Sequence, residues 1–314
     1  MQILNTWEAL ASHTNGSGPC ALAIGAFDGL HTGHQALIQK AVGAARQQSG
    51  TAWLLTFDPH PSRILRPDTG PLLLTSTEHK LRLLQGTGLD GVVVHPFTAD
   101  LAGWPPETFL QRLRSAVPNL QVIVVGANWR FGRRASGDVP QLKKWGTAQG
   151  VAVEVPAAVE WQGAPVSSTR IREAIEHGRL PAAHAMLGRP FSLWGAVTTG
   201  RQYGRELGFP TANIRLQDEV RPPTGVYAVR AHVDNRPHNG AAYLGLRPTA
   251  QGIDSHHLLE VHLFDVTLDL YGQLIEVAFV EHLRPDQRFP DATTLQAQIA
   301  RDVARARTCF TAPP

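Results

Sequence analysis

The chain has 314 residues, 29 Lys and Arg against 26 Asp and Glu, a formal net charge of +3 and a pI near 9.1. That length predicts two domains of ordinary size, and 43% hydrophobic with 18% charged residues describes a globular chain rather than a disordered one. The small charge, the lack of a long basic run and the lack of a membrane-length apolar run argue against nucleic-acid and membrane partners.

Cys20 and Cys309 are the only cysteines and lie far apart, which argues against a disulfide framework or a cysteine-based metal site. The start, MQILNTWEAL, has no basic segment followed by an apolar core, so a cytoplasmic protein is expected. Arginine dominates the cations, Lys40, Lys80, Lys143 and Lys144 being the only lysines. Guanidinium forks suit phosphate, although genome composition explains the bias equally well. No Gly-Lys dipeptide occurs, which excludes a Walker-type phosphate loop.

From Ala21 to about Val155, five apolar runs, ALAIGAF, TAWLLTF, GVVVHPF, VIVVGA and VAVEV, alternate with amphipathic segments such as HKLRLLQGTG and PETFLQRLRSA. Continuous apolar strands between helices predict a doubly wound parallel sheet covered on both faces, with a ligand at the strands' carboxyl ends.

The stretch ALAIGAFDGLHTGHQ reads as a strand, a turn and a helix. With a helix begun by His31, His31 and His34 share one face of its first turn. Gly29 and Gly33 allow close approach of a ligand, and free N–H groups and the positive end of the helix dipole suit a polyphosphate. Metal binding is the weaker alternative, because the nearest third histidine is His60 and no metalloprotease register follows.

Three further segments are candidates to converge there. TFDPHP holds His60 between two prolines, which also makes a plain rigid connection. GANWRFGRRASGD brings Arg130, Arg133 and Arg134 for phosphates and Trp129 or Phe131 to stack on a ring. A solvated basic loop with its aromatics in the core fits nearly as well. SSTRIRE carries more hydroxyls than capping needs, followed by Arg170 and Arg172, and leads into a helix that Gly178 would end.

These motifs, in this order, resemble the FAD synthetase module of the bacterial bifunctional riboflavin kinase/FAD synthetase family, within the nucleotidylyltransferase superfamily. The resemblance covers roughly the first 180 residues and implies a Rossmann-like domain over residues 1–182. It implies that His31 and His34 are catalytic and that Gly25, Phe27, Asp28, Gly33, Ser167, Ser168, Thr169 and Arg172 hold ATP. It also implies that His60, Asn128 and Arg130 contact flavin or phosphate.

After the connection HGRLPAAHAMLGRPFSLW, short alternating strands appear: SLWGAVTTG, GVYAVRAHV, GAAYLGLRP, LLEVHLFDV and LIEVAFVEH. They predict a small antiparallel β-barrel over residues 183–314. The barrel is closed by a helix, Thr293 to Thr308, whose Leu295, Ile299 and Val303 form one face. Read without context, GRQYGRELGFPTAN is a glycine-rich hairpin, with neutral oxygens on Thr211 and Asn213 compatible with Mg²⁺.

LGFPTAN resembles the signature of riboflavin kinase. That likeness implies that Gly200, Gly204, Arg205, Gly208, Pro210, Thr211 and Asn213 bind ATP or flavin, with Thr211 and Asn213 at the metal. It also implies that Glu260, in LLEVHLFDV, activates the acceptor hydroxyl. Alternation alone puts Glu260 on one face with His262, as an outward solvated face would. Gly245-Leu246-Arg247-Pro248-Thr249 departs from the family's usual segment by Leu246, and Ala250 follows it. With no lysine after position 144, charge in this half must come from Mg²⁺, backbone N–H groups and arginines such as Arg201 or Arg205.

The implied activity is phosphorylation of riboflavin to FMN and adenylylation of FMN to FAD, with ATP as co-substrate in both steps, Mg²⁺ as cofactor and pyrophosphate released in the second. A monofunctional member and a flavin-binding protein without turnover are the rivals. The oligomeric state stays open, a homo-oligomer included.

Overall fold

The computed structural model describes residues 1–14, 18–199, 203–234, 236–248, 255–266 and 268–311. Its contacts divide the chain into two units, residues 1–72 with 77–167 and residues 73–76 with 168–314.

In the first unit all strand pairs of the main sheet are parallel: β1 Gln2–Leu4, β2 Cys20–Ile24, β3 Thr51–Asp58, β4 Gly91–Pro96, β5 Leu120–Val124 and β6 Ala152–Glu154. Their order is β1-β4-β3-β2-β5-β6, so the winding direction reverses beside β2. The carboxyl end of β2 therefore borders the switch point at which open α/β sheets bind ligands.

Every residue of β2 is buried, because both faces of the sheet are covered. Leu22 and Ile24 face a core with Trp53, Leu55, Phe109 and Leu113. Ala21 and Ala23 face the other core, where Ile38 and Ala41 of the helix Thr32–Gln47 pack. The doubly wound expectation is met. The added edge strand β1 has three residues, too few for a periodic signature. A short hairpin of β7 Glu160–Trp161 and β8 Ala164–Pro165 precedes the end of this unit.

The second unit opens with the helices Ser168–Glu176 and Leu180–Leu187, followed by Gly178 and Gly188, both at positive φ. A closed antiparallel barrel follows, built from β9 Ser192–Thr198, β10 Ala212–Arg215, β11 Gly225–Val233, β12 Arg236–Pro248, β13 Ser255–Leu263 and β14 Leu274–Pro285. Its order, β10-β13-β12-β11-β14-β9, closes through β9 and β10. Closure removes unpaired edges from a small sheet.

The final helix, Ala292–Thr308, is capped by Asp291, which accepts from the Thr294 N–H at 2.7 Å. Its Val303 and Ala306 pack with Val226, Ala228, Ala241 and Leu283 of the barrel. The barrel and closing helix agree with the sequence, and the described part of GRQYGRELGFPTAN is the long connection and the start of the return strand of the antiparallel β9–β10 pair, not a tight hairpin within itself. That segment holds a one-turn helix, Tyr203–Glu206, and then β10, which pairs with both β9 and β13. Four residues of strand are too few to alternate visibly. Among the described residues, no helix is long and apolar enough to cross a membrane.

Candidate functional site

Two arrangements of functional groups emerge, one in each unit. In the first, the backbone leaves β2 through a turn in which Phe27, Gly29 and Leu30 take φ of +52°, +81° and +41°. A bulky residue in this region is strained, and such strain gathers at ligand sites. Phe27 is fully buried and Asp28 is 4% exposed. A Cβ at Gly25 would stand 3.3 Å from the Phe27 ring, so the glycine leaves room for that aromatic.

The helix begins at Thr32, one residue later than the shared-turn reading assumed, and His31 is its N-cap. The His31 Nδ1 accepts the His34 N–H at 3.3 Å, which satisfies one of the donors a helix start leaves unpaired. The two imidazoles nevertheless stack, with centroids 3.6 Å apart and 18° between planes. Space at Gly33 is used by this ring, since a Cβ there would lie 3.1 Å from it. The Val166 carbonyl, one residue before Ser167, lies 3.9 Å from the same point.

The Nδ1 of His34 is closed off from solvent and has no hydrogen-bond partner among the described residues. Burial, with smaller contributions from His31 and Lys80, holds the His34 proton affinity well below that of an ordinary imidazole. The ring is therefore neutral near pH 7.

The other expected residues are placed as follows. His60 caps the short helix Pro61–Leu65, its Nδ1 accepting from the Ser62 N–H at 3.1 Å and lying 2.7 Å from the Ser62 hydroxyl. Asn128 and Arg130 are exposed on the loop after β5, and Arg130 lies 3.7 Å from Asp138. Trp129 and Phe131 stack on each other at 4.6 Å, and both pack against Phe109. Phe131 is 6% exposed, so of the two readings left open the core one holds for it. Ser167 ends the first unit, while Ser168, Thr169 and Arg172 belong to the helix that opens the second.

Lys80, which the sequence did not single out, is 4% exposed at the ends of β2 and β3. Its Nζ donates to the Ala26 carbonyl and to Thr56 Oγ1, both at 3.1 Å. No motif marks this residue. Its signal was a lone lysine on the apolar face of a helix.

In the second unit the register places Glu260 on β13 opposite Asn213 on β10 and opposite Tyr243 on β12. These three residues, with Thr211, Gly204 and His262, line a cavity of about 720 Å³ between the barrel and the last helix. Leu207, Phe209, Phe289, Leu295 and Ile299 give it apolar walls. Burial, then Asp286, pushes the Tyr243 phenol up to about 12, so it stays protonated. Arg284 forks onto the Asp302 carboxylate at 2.8–3.0 Å along the wall.

The ring Nδ1–H of His262 donates to the Pro210 carbonyl at 2.9 Å, fastening the segment before β10 to the strand of Glu260. Gly204 is a close-approach position, because a Cβ there would meet the Phe209 carbonyl at 2.6 Å and the Thr211 hydroxyl at 3.1 Å. Gly208 takes φ of +85°. Thr211 also lines a second cavity, of about 510 Å³, with Arg205, Pro210, Leu268 and Tyr271. Leu246 is 51% exposed and lines neither cavity. Gly200, Arg201, Thr249 and Ala250 lie outside the described residues.

Among the described residues, Asn213 Oδ1 is a buried oxygen without a partner. A neutral oxygen of this kind beside a hydroxyl fits a hard divalent cation.

Comparison with known proteins gives a family for each half of the chain. A family model described as FAD synthetase matches residues 13–170, and one described as riboflavin kinase matches residues 187–310. A bifunctional riboflavin kinase/FMN adenylyltransferase of Escherichia coli K12 is 38% identical over 292 residues, 93% of each chain. One of Pseudomonas fluorescens is 36% identical over 288 residues, 92% of each chain. A crystal structure described as a macrolide-efflux protein from Streptococcus pneumoniae matches with a TM-score of 0.83 at 28% identity, over 97% of this chain and 98% of that one. The chain belongs to the bifunctional riboflavin kinase/FMN adenylyltransferase family.

Proposed function

We propose that residues 183–314 phosphorylate riboflavin to FMN and that residues 1–182 adenylylate FMN to FAD, in the cytoplasm, with ATP and Mg²⁺ in each step. The observation that carries the kinase half is the row of Asn213, Glu260 and Tyr243 across three strands on the wall of one cavity.

The flavin ring lies between the apolar side chains of the larger cavity, and the ribityl chain runs toward Glu260. Glu260 takes the proton of the terminal hydroxyl as that oxygen bonds to the γ-phosphorus of ATP and ADP leaves. The nucleotide occupies the second cavity, so Thr211, which lines both, stands where the phosphates cross. Thr211 and Asn213 would hold Mg²⁺ here. When bound, it neutralises phosphate charge.

In the first unit an oxygen of the FMN phosphate attacks the α-phosphorus of ATP, and pyrophosphate leaves. The nucleophile is already anionic, so positioning and charge stabilisation do most of the work. His31 and the neutral His34 offer N–H donors beside a helix N-terminus, and the loop after β2 carries the nucleotide. Ser167, at the end of this unit, binds its phosphates, and His60, Asn128 and Arg130 meet the FMN. Two parallel assays test the assignment: riboflavin with ATP and Mg²⁺ yields FMN and ADP, and FMN with ATP and Mg²⁺ yields FAD and pyrophosphate. A protein that binds both flavins and converts neither contradicts it.

A further inference from the structure

Lys80 lies on the helix Thr77–Leu84, yet its ammonium points under the two loops that carry the first unit's site. It donates at 3.1 Å to the Ala26 carbonyl in the turn after β2 and at 3.1 Å to Thr56 Oγ1 near the end of β3. Thr56 itself donates to the same Ala26 carbonyl at 3.0 Å. The same helix is tied to the next motif, since Thr77 Oγ1 donates to Asp58 Oδ1 at 2.9 Å. One cation thus joins the turn of Phe27 and Asp28 to the strand that leads into His60.

We propose that Lys80 is a positioning residue for adenylyl transfer: its ammonium clamps the turn after β2 to β3 and places a buried positive charge beside His34, under the nucleotide phosphates. This rests on the FMN adenylyltransferase reading of the site.

The charged groups acting on Lys80 are the carboxylates of Asp28 and Asp58, and it acts in turn on the imidazole of His34, which is stacked on His31. Burial lowers Lys80 to about 8, against the opposing pull of Asp28 and Asp58. A lysine so placed is a poor stabilising device, since the fold must desolvate its charge. The gain comes when a polyanion arrives, because a buried charge acts through a low dielectric and needs no reorganisation. Its effect falls on the step in which negative charge passes to the departing pyrophosphate, hence on kcat more than on KM.

The test uses the intact chain with FMN, ATP and Mg²⁺. Lys80→Met keeps the length and apolar stem without the charge, and Lys80→Arg restores a cation. The expected result is a fall of at least about tenfold in kcat for FAD formation in Lys80→Met, with KM for ATP changed less than about threefold and partial recovery in Lys80→Arg. The wild-type kcat declines as pH rises above about 8, and this decline is missing from Lys80→Met.

Lys80→Met with wild-type kcat overturns the proposal. If Lys80→Met loses its near-ultraviolet circular dichroism, the wild-type pH profile decides, and a kcat flat across that range overturns it. Wild-type protein that forms no FAD refutes the reading of the site itself, which is a different outcome from a loss confined to Lys80→Met.

Discussion

Glu260 on β13 stands directly opposite Asn213 on β10, so the carboxylate assigned to the acceptor hydroxyl and the amide assigned to the metal share one rung of the barrel. Their relation is fixed by strand register, which a one-residue slip would destroy. Glu260→Gln keeps the shape and removes the base. Phosphorylation of riboflavin is expected to fall about 10²-fold or more, while FAD formation from supplied FMN stays within about twofold. Chromatography of the flavins separates the two effects.

Asn213 contributes an unpartnered buried oxygen to the same rung. Asn213→Ala is expected to raise the Mg²⁺ concentration for half-maximal kinase activity about tenfold, a loss of one ligand worth about 1.4 kcal/mol. A magnesium titration at saturating riboflavin and ATP reads this. An unchanged midpoint would remove Asn213 from the metal site.

Gly204→Ala places a methyl group 2.6 Å from the Phe209 carbonyl and 3.1 Å from the Thr211 hydroxyl. The backbone must shift, and a misplacement of this size in a phosphoryl-transfer site costs about 10²-fold. Kinase kcat/KM is expected to drop accordingly, with FMN adenylylation unaffected.

His31 has two duties, capping its helix and presenting an imidazole to the stack with His34. Asparagine also caps well. His31→Asn should therefore keep the stability of the first unit within about 1 kcal/mol yet leave the reaction at FMN. Thermal unfolding and the flavin product ratio, measured on one sample, distinguish the two duties.

The buried bases of the first unit set its pH response. His34 takes up a proton less readily when folded, so below about pH 6.5 the unfolded chain binds more protons and stability falls with acidification. Lys80 is lowered from 10.5 to about 8, so between those values the unfolded chain again holds more protons and stability rises with pH. At pH 7 this burial costs on the order of 3 kcal/mol. Lys80→Met is thus expected to lose the rise of stability with pH between about 8 and 10.5 while slowing FAD formation. Calorimetry at neutral and alkaline pH checks both the sign and the window.

The parts of this molecule legible in the sequence were those with a repeating pattern or a dense motif. The five apolar runs from Ala21 to Val155 carried the parallel sheet, because strands covered on both faces have no polar alternation to blur. His31, Gly33 and His34 were visible because capping and close approach demand particular residue types. Strand β10 was not legible, since Ala212–Arg215 follows a proline and is too short to alternate. Residue types left Trp129 and Phe131 open between ligand and core, and only the position of Phe109 resolves Phe131. Lys80 was hidden for a different reason: its partners Ala26 and Thr56 are 54 and 24 residues away, and only the folded sheet brings them together.

The most direct measurement is a time course of the intact protein with riboflavin, ATP and Mg²⁺, following riboflavin, FMN and FAD by chromatography. The account predicts that FMN rises first and then falls as FAD accumulates, with ADP and pyrophosphate as the two by-products. Riboflavin that persists while added FMN becomes FAD would contradict the assignment of Glu260. FMN that accumulates without FAD would contradict the assignment of His31 and His34.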